Sequence, residues 1–225
     1  GSYTPTARQE EAFHKYIEFG NRLLTFVLVI IAIAVLVSIF IDARARRRLG
    51  VPQRWAIIVL AIIPFVGTAT QAVLGGITVL TGLNPLIVSA HFLVSILLVA
   101  AAVALVARSG DIGDRPVVFL APTPVRSLSW LLVGVAAIVV VLGVITTGSG
   151  PHSGDPDTEA RFSFDPQTVS LMHADSVFLF IGLLIGLLVT LMLFTSTGSM
   201  RKRTLILIAV TLSQGVIGYV QYFTG

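Results

Sequence analysis

Apolar residues fall into six long runs, parted by short polar stretches. The runs cover residues 23–41, 55–80, 85–107, 128–147, 169–194 and 204–223, and the first has a polar lead-in from Ile17. A bilayer core of roughly 30 Å takes about 20 apolar residues in a helix, so each run is long enough to cross one. Lipid offers no water to an unpaired peptide group, so each run should be helical. The pattern predicts an all-α polytopic membrane bundle of six spans. Two starts carry capping chemistry: Asn84-Pro85 and Asp165-Pro166 each set a capping side chain before a proline at the first helical position. Pro64, inside the second run, should kink it.

The polar stretches differ in charge. Arg44, Arg46, Arg47, Arg48 and Arg54 follow the first run. Arg108, Arg115 and Arg126 follow the third, and Arg201, Lys202 and Arg203 the fifth. The opposite side holds only Arg8, Lys15, Arg22 and Arg161. Basic loops stay in the cytoplasm, which places residues 42–54, 108–127 and 195–203 inside and 148–166 outside a plasma membrane. Both chain ends then lie outside, and the chain reads as an interior piece, with one further span before Gly1 and another after Gly225 as the expectation. Composition supports a membrane protein: 55% of residues are hydrophobic and 12% charged, and mean hydropathy is +0.94. A soluble domain carries about 25% charge, so a soluble enzyme, a disordered linker and a nucleic-acid module are excluded for the whole chain. The net charge of +4 is therefore topology, not a nucleic-acid surface. The sequence has no Cys, which excludes disulfides and thiolate ligands within it.

Residues 71–82, QAVLGGITVLTG, match 214–225, QGVIGYVQYFTG. Identities fall at Gln71/Gln214, Val73/Val216, Gly75/Gly218, Thr81/Thr224 and Gly82/Gly225. Apolar matches come easily between membrane helices, but Gln, Gly and Thr at fixed spacing do not, so the chain reads as a parallel duplication. The expected halves are 1–108 and 109–225. If spans two and six correspond, so do one and five, and their best match sets Asn21 against His173. Two four-helix halves, each short of one outer helix, account for the spans left without partners.

His91 and His173 lie inside spans, each about two turns from the outer end, one in each half. An ionisable residue within the membrane is a functional candidate by default, and neutral imidazole is an axial ligand for haem iron. Either each half holds one iron ligand, or both are packed histidines bonded to a neighbouring helix. Glu18, Asn21, Arg22 and Thr25 share a face at the mouth of span one. Glu18 and Arg22 either pair with each other or divide the work, Glu18 as a catalytic carboxylate and Arg22 on an anionic group such as a haem propionate. His14, one turn before Glu18, is expected in the interface or in solvent. His152 and Asp155 lie in a Gly-, Pro- and Asp-rich outer loop and read as solvated. Asp175 should bond within the bundle. Gly67, Gly75 and Gly76 allow close approach of a neighbour or a flat ligand.

Four stretches together resemble the haem A synthases in an actinobacterial form: IEFGNRLLTF at 17–26, LGGITVLTGLNPLIVSAHF at 74–92, VITTGSGPHSGD at 144–155 and LMHADSVFLF at 171–180. The resemblance implies eight helices in two four-helix halves, haem b in the C-terminal half and the substrate haem in the N-terminal half. It implies an oxidoreductase that converts the C8 methyl of haem O to the formyl of haem A for cytochrome oxidase biogenesis. His91 matches the substrate-side histidine on the fourth family helix, His173 the haem b ligand, and Glu18 the essential glutamate. Asn21 departs from the pattern, standing where many members carry a second substrate-side histidine. The family's paired cysteines are absent from the second outer loop. Implied partners are the haem O substrate, the lipid bilayer, a haem O synthase and an electron donor, with haem sites toward the outer face. A b-type electron-transfer cytochrome is the competing reading; it needs the histidines but not Glu18. A transporter would need a charged path at mid-depth, which these spans lack.

Overall fold

The computed structural model describes residues 6–110, 121–150, 160–194 and 198–224, with the side chains of 6–15, Ile17, Glu18, Asn21, Arg22 and Thr224 outside the description. It is all-helical over those residues: α1 (Thr6–Arg48), α2 (Trp55–Leu80), α3 (Pro85–Ser109), α4 (Thr123–Ser149), α5 (Pro166–Phe194) and α6 (Gly198–Thr224). All six are long and apolar enough to cross a membrane, so the chain is a multi-pass membrane protein. Side chains such as Ile30, Trp55, Val106 and Leu193 are exposed. In water they would be a liability; in lipid they are the solvent-facing surface.

Several helices run past their apolar stretches. The 43 residues of α1 begin well before residue 23 and end after 41. Its polar ends are rich in Ala, Glu, Gln and Arg, which favour helix, and they contain no proline. Asp42 accepts from Arg46 Nε at 2.8 Å, one turn on. The helix stops where Gly50 takes φ +66, a conformation open to glycine without a Cβ clash. α4 likewise starts before its apolar run, at Thr123 directly after Pro122, and α6 at Gly198 rather than 204. Hydropathy marks where lipid lies, not where helical hydrogen bonding ends. α2 runs through Pro64 as a single helix.

Both predicted caps form. Asn84 Oδ1 accepts from Leu86 N–H at 3.0 Å. Asp165 Oδ2 accepts from Thr168 N–H at 2.8 Å and from its hydroxyl at 2.6 Å. Arginines close C-terminal ends instead: Arg54 donates to the carbonyls of Arg108 and Ser109 at 2.9 Å each. Arg201 donates to Leu191 O at 3.3 Å. A cation there satisfies orphan carbonyls and the negative end of the helix dipole together.

The chain divides into two compact units, residues 1–82 with 90–116, and 83–89 with 117–225. In the first, α1 packs on α2. α2 meets α3 where a Cβ at Gly67 would overlap the side chain of Leu98. In the second, α5 packs against both α4 and α6. Its dry core is Val125 and Leu132 of α4 with Leu184, Leu187 and Leu191 of α5. The turn into α3 explains the Thr-Gly of the repeat. Gly82 has φ +59, Leu83 follows at φ +57, and Thr81 Oγ1 donates back to Ile77 O at 2.8 Å.

Candidate functional site

His173 lies on α5, one turn inside a pin between α4 and α5. The pin is Thr146 Oγ1, which shares its proton between Leu142 O of its own helix at 2.9 Å and Val169 O of α5 at 3.2 Å. His173 Nδ1 is 3.1 Å from Val139 O, on α4. A carbonyl only accepts, so Nδ1 carries the proton, and the lone pair of neutral imidazole is left on Nε2. The ring can reach that carbonyl because α4 offers no side chain one turn along. A Cβ at Gly143 would stand 3.0 Å from His173 Cε1 and 3.4 Å from Nδ1. Ser176 Oγ donates to His173 O at 2.7 Å. Beyond the pin, Phe162 N–H donates to Gly148 O at 2.9 Å, and its ring lies where a Gly148 side chain would be. Residue 162, in the segment leading into α5, is thus fastened to the end of α4.

His91 is half-buried on α3, in the first unit. Gly75 of α2 is its platform: a Cβ there would sit 3.6 Å from His91 Cε1, an ordinary contact. One turn earlier on α2, Gln71 Nε2 donates to His91 O and to Ser95 Oγ, both at 2.9 Å. Ser95 Oγ also donates to His91 O at 3.0 Å. Gly67, Gln71 and Gly75, at four-residue spacing, form the α2 stripe that faces α3. His91 Nδ1 is buried without a hydrogen-bond partner.

Residues 18, 21 and 22 lie in α1, within the same unit as His91. The side chains of Glu18, Asn21 and Arg22, like that of His14, fall outside the described residues, as do His152 and Asp155 altogether. Asp175 corrects an expectation. It is exposed on α5, because two residues turn it about 200° from His173 and so away from α4. Gly143, Thr146 and Ser95 escaped the sequence reading, and Gln71 was seen only as a repeat marker. A lone amide in an apolar span was the available signal; nothing distinguished Gly143 from other membrane glycines.

The donor set bears on what could bind. Among the described residues, no three His, Cys, Asp or Glu come together to hold a metal ion. A bare zinc site takes three or four protein ligands, whereas haem brings four nitrogens and asks the protein for axial ones. An isolated imidazole with Nε2 free, on a glycine platform, fits the second requirement.

The COX15-CtaA family model, cytochrome oxidase assembly protein, matches residues 3–152. The chain belongs to that family, the haem A synthase family. The matched region contains Glu18, Asn21, Arg22 and His91 and ends before His173. No curated protein and no solved structure matches the chain.

Proposed function

We propose that this family member oxidises the C8 methyl of haem O to the formyl of haem A in the plasma membrane, with its haem sites toward the outer face. The observation that carries the reading is His173: its proton is committed to Val139 O, so Nε2 is the ligand atom, and Gly143 leaves room for the ring. His173 holds haem b, which supplies a one-electron relay when bound. His91 holds the substrate haem on the Gly75 platform. Arg22 pairs with a propionate, and Asn21 lines the same mouth.

Methyl-to-formyl oxidation adds one oxygen from water and releases protons and electrons in equal number. The electrons must leave to a membrane electron acceptor, so this stoichiometry takes an acceptor in place of the electron donor that the resemblance implied. Positive charge builds at the reacting carbon as they leave. Glu18 stabilises that charge and accepts a proton, a gain made mainly in the transition state.

The test is chromatography of haems extracted from the full-length protein produced in cells that make haem O. Haem A together with haem b is the expected result. Haem b alone, with haem O supplied, would leave an electron-transfer cytochrome in its place. Orientation is tested separately with Arg46→Cys and Ser153→Cys, since the chain has no other thiol. An impermeant reagent added outside should label position 153 and spare 46; the reverse would overturn the topology.

A further inference from the structure

Gln71 is the sole amide side chain of α2. In a lipid environment such a group is costly unless its polar atoms are bonded. Its NH2 is bonded twice, to His91 O and Ser95 Oγ. Because His91 O can only accept, the amide is oriented with nitrogen toward α3. Oε1 therefore points elsewhere. It is buried with no donor, and among the described residues no other buried side-chain oxygen lacks one. His91 Nδ1 is likewise buried with no partner. An orphan acceptor and an orphan ring nitrogen thus sit on two residues already joined through the His91 backbone.

One proton satisfies both. When Nε2 of a neutral imidazole binds iron, the proton must be on Nδ1, and metal-bound histidines pass that proton to an acceptor that orients the ring. The geometry points to Gln71 as the positioning residue of His91: Nε2 holds the histidine's backbone, and Oε1 receives Nδ1–H after a small rotation of the ring or through one bridging water. This rests on the reading of His91 as a haem ligand. It gives the duplicated motif a physical reason, since Gln71 and Gly75, one turn apart, hold and seat one imidazole together. The second copy keeps that pair as Gln214 and Gly218.

The test uses the full-length protein in detergent or nanodiscs, titrated with haem. The component to follow is the one abolished by His91→Ala. Gln71→Leu removes donor and acceptor at similar size; Gln71→Glu keeps an acceptor oxygen in place of Oε1. Losing the acceptor makes Nδ1–H less polarised and Nε2 a weaker donor to ferric iron. Gln71→Leu should therefore bind that haem about 10- to 100-fold more weakly and shift its midpoint potential positive. Gln71→Glu should restore both toward the starting values, and the His173-dependent haem should not change in either variant. An unchanged potential in Gln71→Leu, or equal losses in the two variants, would overturn the proposal and reduce Gln71 to helix packing. A haem spectrum untouched by His91→Ala would instead overturn the ligand assignment beneath it, whatever residue 71 does.

Discussion

On α5, the imidazole of His173 has spent its proton on Val139 O and stands against the position where a Gly143 Cβ would be, at 3.0 Å. On α3, His91 Cε1 lies 3.6 Å from where a Gly75 Cβ would be, and its buried Nδ1 has no bond. Glycine platforms underlie both rings, but only one ring is locked. A resident cofactor gains from a ligand fixed in tautomer and direction before it arrives. A substrate that must enter, react and leave is better served by slack, because each orienting bond has to be remade at every turnover. Under the proposed function, this difference in anchoring matches haem b on His173 and the reacting haem on His91.

Removing each ligand should separate the two most sharply. His173→Ala should lose haem b altogether. His91→Ala and Glu18→Ala should retain haem b and make little haem A, and Glu18→Ala should still bind haem O. Chromatography of extracted haems reads all three. Loss of haem b from His91→Ala with retention in His173→Ala would reverse the assignment of the halves. Near-normal haem A from Glu18→Ala would leave that residue as a partner of Arg22.

The platforms come next. An alanine at 143 must displace a ring held by its own hydrogen bond, an overpacking cost of roughly 1–3 kcal/mol. The better helix propensity of alanine offsets about 0.5–1 kcal/mol of it. Gly143→Ala should thus lower haem b retention and lose up to about 2.5 kcal/mol of stability. Gly75→Ala meets only ordinary contact and should be neutral or slightly stabilising. Thermal melting with haem b quantified beforehand compares them, and equal effects would mean that the rings are held alike. Thr146→Val is smaller still. It removes the pin to Val169 at nearly constant shape and should cost about 0.6 kcal/mol, the average for such bonds in membranes, with no counterpart in the first unit's haem binding.

These contrasts mark what sequence could and could not carry. Six helices were legible because lipid demands long apolar runs, and both histidines stood out as ionisable groups within them. Helix ends were misplaced where Ala- and Arg-rich segments kept hydrogen bonding beyond the apolar stretch, as in α1. Gly143 and Gln71 became meaningful only once the faces of α4 and α2 were paired with α5 and α3. Hydropathy is nearly silent on that pairing when a helix is apolar all round.

The smallest expected difference lies at the starts of the two histidine helices. α3 is capped by the neutral Asn84 and α5 by the carboxylate of Asp165. The Thr168 hydroxyl, and then its N–H, hold the Asp165 carboxyl below its ordinary value of 3.8. A group whose folded pKa is depressed contributes stability that is complete above its unfolded pKa and is lost as pH falls through the folded one. Asp165 is fully exposed, so the effect is confined to the first turn of α5 and should not reach the fold as a whole. Amide exchange near residue 168, corrected for the intrinsic rate at each pH, should lose protection between pH 5 and the acid side of that depressed pKa. The amide of Leu86, capped by Asn84, should show no such loss. Asp165→Asn tests the cause, because a neutral cap should make α5 behave like α3. If its first turn still loosens in acid, Asp165 is not the titrating group, and the contrast between the two helix starts has another origin.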